Sequence, residues 1–297
     1  MFEMRVTQTM LAHNSLRHLN QSYTRLGELQ DQLSTGKKIT RASQDPVVAM
    51  NGMRYRTQVM EVEQFKRNLS EVYNWMEATD SALDKAAQVL HRVRELVQQA
   101  ANDTYEENQR DSIAKEVGQL IEEMATIANT KSNNKYIFNG TNTTEKPVSI
   151  DGDDITVSEN DTNVEIELLK GVYIPVNSNP TNVFTDKLFK ELQKIQARLI
   201  ETDTTGEDLT GYLEIIDGHM NNVVNERAEV GARYNRVEMI QARLDEQEVI
   251  ANRIMSDNED ADMEEVIIHL MTQENVHRAA LGAGARIIQP TLLDFLR

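Results

Sequence analysis

The residues best suited by type to chemistry are scattered along this chain, and their spacing fails each chemistry they suggest. Ser34-Thr35-Gly36-Lys37-Lys38 has some features of a phosphate loop, in which backbone N–H groups cradle a phosphate and a Ser or Thr after the lysine holds magnesium. The first glycine of such a loop is missing, and Lys38 stands where the magnesium ligand belongs. The segment is therefore expected to be a structured connector between helices. His13 and His18 are five positions apart, off a single helical face, and the six histidines show no metal spacing. His277 falls on an apolar seam and is expected to pack there. The acidic runs Asp151-Gly152-Asp153-Asp154 and Asp257-Asn258-Glu259-Asp260-Ala261-Asp262 lack the twelve-residue calcium-loop pattern, so they predict a turn and a hinge. No nucleophile elbow appears. The absence of cysteine removes thiol catalysis, disulfides and cysteine-metal sites. No catalytic residue, metal or cofactor is expected, and the chain is not expected to be an enzyme.

The elements that carry these residues are more informative. Near the start, Ala12, Leu16, Leu19, Tyr23, Leu26, Gln30 and Leu33 alternate steps of three and four. Near the finish, Ile267, Leu270, Glu274, His277, Leu281, Gly284 and Ile288 do the same. Such spacing lines one face of a helix. Residues 1–45 are net +2 and residues 266–297 net +1, whereas the 297-residue chain is -17, which leaves -20 on the stretch between them. An acidic middle repels phosphate, so nucleic acid is not an expected partner. No apolar run approaches the roughly 20 residues that span a bilayer, and the N-terminus shows no secretory apolar region; membrane insertion is not expected. Apolar-striped ends around an acidic body suit a subunit that joins a polymer through terminal helices. Residues 1 to about 40 and 263–297 are expected to order on assembly.

Proline is absent between Pro46 and Pro147 and between Pro180 and Pro290, so both gaps permit long helices. In the first, Val62, Phe65, Leu69, Val72, Met76, Thr79, Leu83, Ala86, Leu90, Val93, Val97 and Ala100 form a seam, and Asp45 before Pro46 predicts an N-cap. That helix, ending near residue 101, would be roughly 80 Å long. A shorter helix follows over 113–127. In the second gap, a helix from Phe184 to about Ile200 precedes a long one seamed by Leu209, Leu213, Ile216, Met220, Val223, Arg227, Val230, Tyr234 and Val237. The seam then drifts to Ile240, Leu244, Ala251 and Ile254. Residues 132–182, with Asn-Gly, Asp-Gly and Lys-Gly turns and short alternating runs, predict a β-rich insert. The fold class is mainly α: a long antiparallel helical bundle or coiled coil built from N- and C-terminal halves, with a small β-rich insert. Expected domains are 1–45 with 263–297, terminal helices of a polymer core; 46–140 with 183–262, a helical bundle with a β-hairpin; and 141–182, the insert. The small-residue run from Ala279 to Ala285 predicts close approach of neighbouring helices, with large apolar residues resuming at Ile287 and Ile288.

Several motifs together resemble one family. Leu33-Ser34-Thr35-Gly36-Lys37-Lys38-Ile39 and Ser43-Gln44-Asp45-Pro46 resemble the end of the first helix and the connector of bacterial flagellin-like proteins. Asn134-Lys135-Tyr136-Ile137-Phe138-Asn139-Gly140 is similar to their hairpin strand. The tail from Ala285 through Ile288-Gln289-Pro290 to Leu293-Asp294-Phe295-Leu296 is similar to their C-terminal helix end. Within that superfamily, Asp45-Pro46-Val47-Val48-Ala49 and Gly171-Val172-Tyr173-Ile174-Pro175-Val176-Asn177 resemble the hook-filament junction branch more than filament flagellin.

The resemblance implies a structural adaptor, required for filament assembly, at the distal end of the hook on the bacterial flagellum. It implies secretion by the flagellar export apparatus and a ring of about eleven subunits, a closed set of head-to-tail contacts. Implied partners are further copies of the chain, the other junction protein, flagellin or hook subunits, and an export chaperone. Polymer contacts are expected at Leu16, Leu19, Tyr23, Leu26, Leu33, Ile267, Leu270, Leu281 and Ile288. The chaperone is expected on Leu281, Ile288, Leu292, Leu293, Phe295 and Leu296. A filament flagellin, and less favourably a cytosolic coiled-coil scaffold, remain the alternatives.

Overall fold

Helices account for most of this chain because its long seams repeat at the helical period and meet no proline. A computed structural model describes residues 8–102, 107–151, 154–178, 182–201 and 206–288. It has six helices among the described residues: α1 (Gln8–Thr35), α2 (Pro46–Ala100), α3 (Glu107–Ala128), α4 (Asp186–Ile200), α5 (Gly206–Glu259) and α6 (Met263–Ile288). Short strands lie between α3 and α4: β1 (Lys131–Ser132), β2 (Lys135–Tyr136), β3 (Val148–Asp151), β4 (Asp154–Val157), β5 (Glu165–Leu169) and β6 (Val172–Pro175). The chain divides into two compact units, residues 1–61 with 247–297, and residues 62–246, so the boundaries fall inside α2 and α5. No helix of the described residues is long and apolar enough to cross a membrane.

The second unit is a bundle. The α2 seam is buried from Val62 to Ala100 with Phe65 half-buried, and its one polar member, Thr79, donates its hydroxyl to the Trp75 carbonyl at 2.9 Å. On α5, Leu209, Ile216, Val223, Val230, Val237, Ile240 and Leu244 are buried in the same core. The two helices run antiparallel. Lys66 pairs with Asp245, Tyr73 bonds Gln241, Asp80 and Asp84 take Arg227, and Arg94 pairs with Asp217. Helix α3 packs against α4, whose N-cap Thr185 accepts from Leu188 and whose Leu188, Phe189, Leu192, Ile195 and Leu199 are buried. Burying each such side chain contributes about 1.5–3 kcal/mol, which is what holds a 15-residue helix in place.

The insert is three separate antiparallel hairpins, β1–β2, β3–β4 and β5–β6. The first turns at Asn133 and Asn134, both at positive φ, the type I′ geometry that asparagine tolerates. Asn139-Gly140 is not a hairpin turn. It follows Ile137 and Phe138, which are fully buried, and Phe138 meets Phe184 edge-on at 4.8 Å. The Lys170-Gly171 turn joins β5 to β6, with Gly171 at φ 78°. A register irregularity between Glu167 and Leu169 breaks the expected alternation, and Leu168 and Leu169 are both buried. The end of the insert is fastened to α5 by Glu226. This carboxylate, 4% exposed, accepts from Ser178 at 2.6 Å and from Asn182 at 2.9 Å.

Candidate assembly surface

The first unit contains α1, α6 and the adjoining ends of α2 and α5. The terminal helices have found one partner already, each other, since α1 packs on α6. Buried Ser22 marks their contact: its hydroxyl lies 3.1 Å from Gln273 Nε2 and 3.2 Å from His277 Nδ1. His277 also meets the Tyr23 ring at 6.2 Å. Gly284 is buried opposite Leu19, whose Cδ1 lies 4.0 Å from where a Cβ would stand, whereas Gly282 faces open space. Thus one glycine of the small-residue run serves the helix pair.

The contact covers only part of the expected seam. Leu19, Leu26, Leu33 and Leu270 are half-buried, but Tyr23, Leu16, Leu281 and Ile267 remain exposed. The side chain of Ile288, and Leu292, Leu293, Phe295 and Leu296 altogether, lie outside the described residues. Further exposed apolar groups of the unit include Met10, Ile268, Met271 and Val276. On α6, exposed Ile267, Ile268 and Met271 and half-buried Leu270 form one broad apolar face. A face of this width is one that a packing partner covers.

The connector after α1 is built, not slack. Gly36, at φ 68°, ends α1, and its carbonyl accepts from Ala261 N–H at 2.9 Å. Lys38 N–H donates to the Glu259 carbonyl at 2.7 Å, and Lys38 Nζ to the Asp257 carbonyl at 2.6 Å. Asp45 caps α2 as expected: its Oδ1 accepts from Val47 and Val48 at 2.9 and 3.1 Å. The acidic run is not a break over its whole length. Helix α5 continues through Asp257 and Asn258 to Glu259, because Asn258 donates to the Val48 carbonyl and Glu259 is held by cations. Only residues 260–262 interrupt it, and Asp262 then caps α6 through Glu264 and Glu265 N–H.

Four charges form the centre of this joint. Arg56 donates to Glu259 Oε2 at 2.7 Å, and Lys37 lies 3.5 Å from the same oxygen and 2.6 Å from Asp260 Oδ1. The Arg56 hydrogen bond holds the Glu259 carboxyl below the usual range against the opposing effect of burial. Asp260 is lowered chiefly by Lys37, with Ser256 adding a second bond. Lys37 is raised in turn, first by Asp260, and Arg56 by Glu259. Gly52 makes room for this cluster: a Cβ there would stand 2.6 Å from Glu259 Oε1. Gly52 and Arg56 belong to no pattern found in the sequence, and Glu259 only to the acidic run expected to be a hinge. The available signal was a glycine inside a helix, where it costs about 1 kcal/mol relative to alanine. The arrangement offers contact surface and fixed charge, and no group of three or more His, Cys, Asp or Glu side chains among the described residues is placed to hold a metal.

Comparison with known proteins agrees with this layout. The N-terminal helical region of bacterial flagellin matches residues 6–143, and its C-terminal helical region matches residues 213–296. Flagellin of Bacillus subtilis is 25% identical over 243 residues, covering 79% of this chain and 80% of that one. Flagellar hook-associated protein 3 of Escherichia coli is 21% identical over 304 residues, covering 94% and 96%. The solved structure of hook-associated protein 3 from Legionella pneumophila superposes with a TM-score of 0.63 at 15% identity, covering 69% of this chain and 98% of that one. With the N- and C-terminal helical regions both present, in order and together over most of its length, the chain belongs to the bacterial flagellin family of flagellar structural proteins.

Proposed function

We propose that the chain is the adaptor between the flagellar hook and the filament. The observation that carries this reading is its likeness to hook-associated protein 3, which extends over nearly the whole length in sequence and over most of the fold. The adaptor leaves the cell through the flagellar export apparatus and forms a ring of about eleven copies, closed by head-to-tail contacts. It meets the other junction protein on one side and filament or hook subunits beyond. Leu16, Leu19, Tyr23, Leu26, Leu33, Ile267, Leu270, Leu281 and Ile288 pack in the polymer core, which accounts for the apolar surface left bare in the single chain. Before export, a chaperone holds Leu281, Ile288, Leu292, Leu293, Phe295 and Leu296. The role is structural and involves no catalysis.

Filament flagellin is the second reading, favoured by the higher identity to the Bacillus subtilis protein. Immuno-electron microscopy of intact flagella separates the two. A single band at the distal end of the hook is the expected result. Label along the filament would replace the adaptor by a flagellin.

A further inference from the structure

The chain has no cysteine, so its thirteen methionines hold all of its oxidisable sulfur. Met76 and Met124 are enclosed in the bundle core, at 2% and 0% exposure. Among the described residues, the exposed methionines concentrate in the first unit: Met10, Met50, Met53, Met60, Met263 and Met271, against Met239 in the second.

The pair on α6 stands where its chemistry has a consequence. Met263, Ile267 and Met271 follow steps of four, which sets them one above the other along a single ridge of the helix. Met263 and Ile267 are 39% and 40% exposed, and Met271 is 62% exposed, with exposed Ile268 beside them. The ridge is part of the broad apolar face of α6, and its middle residue, Ile267, is one of the proposed polymer contacts. An unbranched thioether adapts well to a contact. It also brings a reactivity that leucine would not.

Hydrogen peroxide oxidises a thioether by direct oxygen transfer. A sulfur lone pair attacks one peroxide oxygen, the O–O bond breaks and an S–O bond forms. The proton on the transferred oxygen passes to the departing hydroxide, which leaves as water. Sulfur gives up two electrons and the peroxide takes them. The sulfoxide is polar where the side chain had been apolar. Its oxygen needs a hydrogen-bond donor once it is removed from water, and the side chains of Ile267 and Ile268 supply none.

We propose that Met263 and Met271 are a site of oxidative modification: a hydroperoxide converts them to sulfoxides in the free subunit, and the ridge then no longer packs in the polymer. Assembly in turn covers the sulfurs and protects them. The inference rests on the reading of α6 as a polymer contact and adds a chemical step that controls it.

Peptide mapping by mass spectrometry after timed exposure to hydrogen peroxide tests the chemistry. In the purified full chain, Met271 should oxidise at least about tenfold faster than Met76 or Met124, because susceptibility follows exposure. In isolated flagella that contain the chain, its rate should fall toward theirs. Glutamine imitates the polarity of the sulfoxide and propagates a helix about as well as methionine. Cells producing Met263→Gln with Met271→Gln should therefore carry at least about tenfold fewer filaments, as for loss of a central contact, while the purified variant melts like the unaltered chain. Met263→Leu with Met271→Leu should leave the filament number unchanged. Equal oxidation of Met271 in monomer and flagella would overturn the proposal together with the polymer contact beneath it. Protection in flagella combined with normal filaments in the glutamine variant would overturn the oxidative control alone. Filament loss is expected of an adaptor and of a flagellin alike, so antibody position along unaltered flagella judges the adaptor reading separately.

Discussion

Arg56 and Glu259 stand 203 residues apart in sequence and 2.7 Å apart in space, and their ion pair joins the start of α2 to the end of α5. Glu259 is nearly buried and Arg56 mostly exposed, so the pair loses little arginine hydration while the carboxylate is removed from water. Removing one partner strands the other more than it forfeits an attraction.

This joint should respond to acid. Glu259 and Asp260 titrate below the ordinary carboxylate value of about 4, so their contribution to stability is complete above that value and is lost as pH falls through the lowered ones. Lys37 titrates above about 10.4, so its contribution holds below that and fades only in stronger alkali. Glu259→Gln should therefore melt below the unaltered chain at pH 7, and the gap should close toward pH 2. A gap constant across that range would show that the carboxylate's charge plays no part.

Two glycines with positive φ should behave differently. At Gly36 an added Cβ meets nothing within 4 Å, so Gly36→Ala bears only the left-handed backbone penalty, about 1–2 kcal/mol. At Gly140 the Cβ would stand 2.8 and 2.9 Å from the carbonyl oxygens of Asn160 and Thr162. Backbone must move there, and Gly140→Ala should cost more than Gly36→Ala by at least about 2 kcal/mol. Equal denaturant midpoints for the two variants would contradict the packing at Gly140.

Leu83 is fully buried in the α2 seam, and Leu83→Asp places a carboxylate there without a partner. The expected cost is several kcal/mol, which lowers the melting temperature of the bundle on the order of 10 °C. Arg227 salt-bridges Asp84 one position away, but the next residue on a helix points about 100° aside and offers no rescue. An unchanged melting temperature in calorimetry would place this seam on the outside.

Periodicity made much of this legible. The α2 seam from Val62 to Ala100 and the Asp45–Pro46 cap are local patterns, set by residues a few positions apart, and the structure repeats them almost residue for residue. The α5 seam holds as far as Leu244. Beyond it Ile254 is 37% exposed and neighbouring Val249 is 69% exposed, in the other unit, because a repeat names a face without naming what covers it. For the same reason Leu16 and Leu19 looked alike in sequence, yet Leu19 lies against Gly284 and Leu16 faces out. The helical state of Asp257–Glu259, the ion cluster at Lys37 and the space over Gly52 depend on partners some two hundred residues away. No local rule reaches that far.

The tail gives the sharpest test of the adaptor role. Leu293 and Leu296 lie on the tail assigned to the chaperone, whose Leu281 and Ile288 are assigned to the polymer core as well, and two occupants of one apolar face must exclude each other. Each buried leucine is worth about 1.5–3 kcal/mol, so Leu293→Ser with Leu296→Ser should weaken chaperone binding by two or more orders of magnitude. The bundle of residues 62–246 has its own core, and its melting should hardly change. Cells producing this variant should build hooks yet release flagellin monomer into the medium, since no ring seats the filament. Titration calorimetry with the chaperone and a flagellin immunoblot of the culture medium read the two effects. Normal filaments together with undiminished chaperone affinity would show that the tail is dispensable and that another surface carries both contacts.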